Sequence, residues 1–142
     1  MDYQRLKTLD AEQSAAMTLE EAAAYWQGPV TRPLPCYINY RTLLAVMLDP
    51  ARLEALRAAV KAQWPTVDDM LAHVGNRDGS AGGLDVSLPA TQAQLSGFVA
   101  AGLLAAAEAA ELVALGTETV SRAIAAGLGS DPQPAQFRRV RS

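Results

Sequence analysis

The chain is nearly without cysteine and histidine, two of the residue types on which enzyme chemistry most often rests. It carries a single cysteine, Cys36, and a single histidine, His73, in 142 residues. One cysteine cannot close an internal disulfide, which fits folding in a reducing cytoplasm. His73 has no cysteine or acidic cluster at ligand spacing around it, so it reads as a surface or half-buried structural residue. Nucleophilic and acid–base catalysis need an activated group beside its partner, and Cys36 and His73 lie far apart with no recognisable context. No catalytic, cofactor-binding or metal-ligating residue is assigned; the chain is expected to be no enzyme and to need no cofactor.

Other absences narrow the class further. The most apolar window, Phe98 to Leu115, is broken by Glu108 and Glu111, and an acid at the centre of a bilayer costs about 2–3 kcal/mol, so no membrane span is expected. No basic-apolar-small pattern opens the chain, which argues against a signal peptide. Net charge is −3, giving no general attraction to nucleic acid. The glycines of Asn76–Ser87, "NRDGSAGGLDVS", are followed by no Gly-Lys-Ser/Thr, so they form no phosphate loop. Asn76, Asp78 and Ser80 imitate the start of a calcium loop, but Ala81 and Ser87 stand where glycine and a bidentate glutamate are required.

What remains is a helix-forming chain. Hydrophobic residues make up 50% and charged residues 19%, enough for a packed core, although aromatics are only 6% and alanine supplies much of the rest. Such a core is built from close helix contacts, with part of its stability expected from partners or self-association. Met1–Gln27 reads as helix in two pieces, with capping-box spacing at Asp10/Gln13 and Thr18/Glu21. Val30–Pro35 is an extended connector fixed by prolines. A helix is expected from Asn39, in competition with a short strand over Cys36–Tyr40. Asp49-Pro50 opens the clearest helix, with Leu53, Leu56, Val60 and Trp64 on one stripe and Pro65 as its stop. Thr66 begins another, closed by Gly75. Asp85-Val86 either adds a small strand or leads into the next helix.

From Leu88 to Gly129 glycines at 102, 116 and 127 mark three short amphipathic helices, each ending where a left-handed cap would fall. In the second, Ala105 stands at a cap position that it cannot serve, with Glu108 three residues on. The fold class is therefore all-α: a small bundle of about six short helices with a Gly-rich loop and at most one minor strand pair. Residues 1–129 form a single helical domain, in which 88–129 is a C-terminal three-helix segment, and residues 130–142 form an extended basic tail carrying Arg138, Arg139 and Arg141.

The run "LDVSLPATQAQLSGFVAAGLLAAAEAAELVA" followed by "LVALGTETVSRAIAAGLG" resembles the C-terminal part of small proteins encoded in the structural gene modules, tail and neck, of tailed bacteriophages. In these an Asp-Val element leads into a helix, an "L-x-A-L" helix follows, and a "T-V-S-R-A-x-x-x-G-L-G" ending closes. The resemblance implies a virion structural protein, made in the bacterial host cytoplasm, that binds neighbouring tail, neck or fibre proteins in a multi-copy assembly; it carries no catalytic residues. The contact candidates are the loop around Arg77 and Asp78, to Gly83, and the arm Phe137, Arg138, Arg139 and Arg141. The alternative is a helical regulatory module binding a host protein or DNA, on the strength of a helix-turn-helix-like turn at Gly116–Glu118 followed by Ser121 and Arg122.

Overall fold

The structure, a computed structural model, describes residues 1–73, 75 and 82–142. It is mainly helical, with 62% of residues in helix. Among the described residues there are nine α-helices and two two-stranded sheets, more elements than the six helices and one strand pair expected. Contacts divide the chain into two compact units, a terminal unit of Met1–Arg32 with Thr119–Ser142 and a central unit of Pro33–Glu118. This division differs from the expected single domain of residues 1–129: the chain leaves the terminal unit after Arg32 and re-enters it at Thr119.

In the terminal unit, α1 (Tyr3–Leu9) runs into a π-helical turn (Asp10–Ser14) before α2 (Leu19–Gln27). The Thr18–Glu21 capping box forms as read from the sequence, each side chain bonding the other residue's backbone N–H. Asp10 caps nothing; it is buried inside the π turn. Strand β1 (Pro29–Pro33) pairs with β4 (Thr117–Ser121), and the pairing is closed at its ends by Arg122 N–H on Gly28 O and Leu34 N–H on Gly116 O, both 2.8 Å. The helix expected over 118–126 is thus half strand: Thr117, Thr119 and Val120 are β-branched, and only α8 (Arg122–Ala125), capped by Ser121, stays helical.

The expected extended tail is also corrected. Pro134–Arg141 is α9, with Pro134 at its first position, and Phe137 is fully buried among Leu6, Ala22, Ala23, Trp26, Ala123 and Leu128. A helix rich in arginine folds here because one aromatic side chain reaches the apolar interior while the charges stay at the rim.

The central unit holds β2 (Tyr37–Ile38), α3 (Tyr40–Met47), α4 (Pro50–Gln63), α5 (Pro65–Ala72), β3 (Leu84–Asp85), α6 (Pro89–Ala100) and α7 (Ala106–Ala114). Both readings of residues 36–40 are realised in part, since β2 is followed at once by α3 with Asn39 as its cap. Pro65 stops α4 and opens α5, as Pro50, Pro89 and Pro134 open their own helices; the missing N–H costs nothing at that position. Strands β2 and β3 are antiparallel, Tyr37 opposite Asp85 and Ile38 opposite Leu84. The core gathers Leu43, Leu56, Val60, Leu71, Leu95, Phe98 and Leu112 around Ile38 and Val86. Trp64 packs at its margin with its ring 5.4 Å from Phe98.

Gly102 and Gly127 adopt the left-handed conformation expected of caps, at φ 75° and 84°. Gly116 does not. It is required for a different reason, because a Cβ there would lie 2.7 Å from the backbone nitrogen of Ser87.

Candidate functional site

The contact residues read from the sequence separate sharply. Arg77 and Asp78, with Asn76, Ser80 and Ala81, lie outside the described residues. Phe137 is interior and offers nothing to a partner. Arg141 is tied down: its Nε and Nη2 donate to the two carboxylate oxygens of Asp10 at 2.7 and 2.8 Å, and its remaining donors reach Ser14 O and Met17 O, each at 2.7 Å. Ser14 O, at the end of the π turn, also accepts from the Met17 N–H at 3.0 Å. Ser14 Oγ donates to Asp10, and Trp26 Nε1 donates to Ser14 Oγ at 3.0 Å. The Arg141 hydrogen bond holds the Asp10 carboxyl below its ordinary pKa against the opposing effect of burial. Arg139 lies over the Tyr3 ring at 3.9 Å. Arg138 is exposed. The arm is thus a structural clasp through Phe137 and Arg141, with Arg138 and Arg139 exposed at its edge.

The residues weighed for other chemistry are equally settled in their surroundings. Cys36 is half-buried against the core, and its backbone N–H donates to Asp85 Oδ1. His73 ends α5, with Nδ1 3.4 Å from Asp69 O. Among the described residues no group of three or more His, Cys, Asp or Glu could hold a metal ion, and no helix is long and apolar enough to cross a membrane. The turn at Gly116–Glu118 leads into strand β4, where a helix-turn-helix needs its second helix. Arg122, the one basic residue of that segment, donates to Tyr25 O at 2.6 Å and covers the Tyr25 ring at 4.1 Å.

A surface that sequence reasoning missed stands out in the central unit. A groove of about 400 Å³ opens where α5, the β2–β3 pair and the start of α6 meet. Its rim is Tyr37, Met70 and Leu88, exposed by 47%, 43% and 51%. Val67 and Leu84 form its floor, and the carboxylate of Asp85 borders it. That carboxylate is kept below its ordinary pKa by the hydroxyl of Ser87, and it therefore stays charged at neutral pH. A hollow of about 460 Å³ along α1 is larger but polar, bordered by Asp2, Arg5, Thr8 and Glu12. Three large apolar side chains from three elements are thus brought together at one opening. The signal in the sequence was faint: Leu88 stands at the cap of α6, where Ser or Asp would be favoured, and no side chain caps that helix.

Compared with known proteins, the chain matches no family model, no curated protein and no solved structure.

Proposed function

We propose that this protein acts by binding alone, as a small helical subunit of a tailed-phage particle seated on neighbouring tail, neck or fibre proteins. The virion part of this reading comes from the "TVSRAIAAGLG" resemblance. The binding part is supported by the Tyr37–Met70–Leu88 groove, an apolar opening in the central unit, whereas Phe137 and Arg141 are taken up by contacts within their own unit. The rim contains a tyrosine and a methionine, side chains that give large contact area at low entropic cost or adapt to the shape of what they meet. Mass spectrometry of purified particles from the source tests it, with cross-linking to identify the neighbour. The chain is expected there in fixed copy number. Its absence from particles, together with abundant expression early in infection, would overturn the virion reading.

A further inference from the structure

Leu48 is the only residue other than glycine with a positive φ among the described residues, at φ 57° and ψ 22°. It ends α3, its N–H bonding Leu44 O at 2.8 Å, and it is 80% exposed, more than any other large hydrophobic residue described. Both features are unfavourable for the isolated chain. Glycine or asparagine fits the left-handed cap without the Cβ clash, and a bare leucine leaves its whole side chain in water. Leu88 shows the same conflict at the start of α6: half exposed, in extended backbone, at a cap position that a serine would serve. Two leucines are thus held at helix ends where local stability asks for small polar residues, and such violations concentrate where a surface is used.

We infer that Leu48 of one copy seats in the Tyr37–Met70–Leu88 groove of another, so that the chain associates with itself. A groove of about 400 Å³ with a pliable methionine at its rim admits a branched aliphatic side chain with room to close around it. Charge supports the same pairing. Arg41 stands in the first turn of α3, roughly 10 Å along the axis from Leu48 at its other end, exposed and with no acidic partner among the described residues. The groove carries an acid, Asp85 on its border, and exposed Asp69 precedes its rim residue Met70 in the chain. Knob and groove are different surfaces of one unit, so the contact is head-to-tail in kind and can extend to many copies.

This inference rests on the groove being a binding surface and not on where the protein resides, so association of the purified chain tests it while particle composition tests the phage reading. Light scattering across roughly 1 µM to 1 mM should show mass rising with concentration. Leu48→Asn and Leu88→Ser should each weaken association about tenfold or more, with thermal midpoints at or above that of the parent, and Met70→Lys should weaken it similarly. The decisive arm is a 1:1 mixture. Leu48→Asn keeps its groove and Leu88→Ser keeps its knob, so together they should form a dimer that neither forms alone and that grows no further. A parent chain that stays monomeric, a Leu48→Asn chain that associates like the parent, or a mixture that stays monomeric overturns the inference.

Discussion

Among the described residues, the terminal unit encloses seven apolar side chains, three of them alanines, whereas the central unit encloses thirteen and no alanine among them. Their charges differ as well, with seven basic against six acidic residues in the terminal unit and five against nine in the central one. A small unit with little apolar area to bury has to close by other means. It does so with a polar clasp, in which Asp10, Ser14, Trp26 and Arg141 satisfy one another and Arg141 also bonds the carbonyl of Ser14. The central unit closes on leucines and can leave others on its surface, where they serve contact. Polar side chains in the first unit are spent inward, and apolar side chains in the second are displayed outward.

The largest test of this contrast is Phe137→Ala. Removing a fully buried phenylalanine from so small a core should cost about 3–5 kcal/mol. Hydrogen exchange should then show protection lost in α1, α2 and α9 and retained in α4, α6 and α7. Equal loss in both sets would mean that the division into units has no energetic meaning.

Arg141→Ala comes next. It leaves the nearly inaccessible Asp10 carboxylate without its main partner, at a cost of roughly 2–3 kcal/mol measured by denaturant unfolding. The pH dependence should change with it. Because Asp10 has a depressed pKa when folded, its contribution is complete above the ordinary carboxylate range and is lost as pH falls through the lower, folded value. In the variant that acid-dependent loss should shrink. A parent whose stability does not decline below the carboxylate range would contradict the clasp.

The central unit should instead be easy to improve at its caps. Ala105 has extended backbone, and its N–H already bonds Glu108 Oε1 at 2.9 Å, so one half of a capping box is in place. Ala105→Ser supplies the other half and should add about 1 kcal/mol, read as a higher denaturation midpoint with an unchanged slope.

These sites also show what the sequence could and could not disclose. Caps are local, so Thr18 with Glu21 and Asp49 with Pro50 were legible from neighbours no more than three residues apart. The stripe of Leu56 and Val60 was legible from its period. The clasp was not, because Asp10 and Arg141 meet across nearly the whole chain and no short-range pattern links them. Residues 134–141 read as a solvated tail because three arginines outweigh one phenylalanine in any average, although it is the phenylalanine that decides. Strand β4 was hidden in a segment whose alanines and glycines pointed to helix, and its five residues are too few for alternation to speak. The groove was invisible for the same reason as the clasp: Tyr37, Met70 and Leu88 are single apolar residues in three elements, and only the fold brings them together.

The smallest effect should come from Arg52→Gln, the counterpart in the central unit of the Arg141 variant. Arg52 grips Glu108 with two hydrogen bonds, 2.9 and 2.6 Å, much as Arg141 grips Asp10, and that bond is the main cause holding the Glu108 carboxyl below its ordinary pKa. Geometry alone would rank the two pairs together. Surroundings separate them, since the Arg52 and Glu108 side chains are 43% and 15% exposed against 25% and 5% for Arg141 and Asp10, so water can better replace what the outer pair loses. Glu108 also keeps its bond from the Ala105 N–H when Arg52 is changed. The denaturation midpoint of Arg52→Gln should therefore move less than that of Ala105→Ser and far less than that of Arg141→Ala. If the two arginine variants proved equally damaging, the contrast between an inward polar clasp and an outward, solvent-screened pair would fail, and with it the explanation of why the smaller unit depends on its last helix.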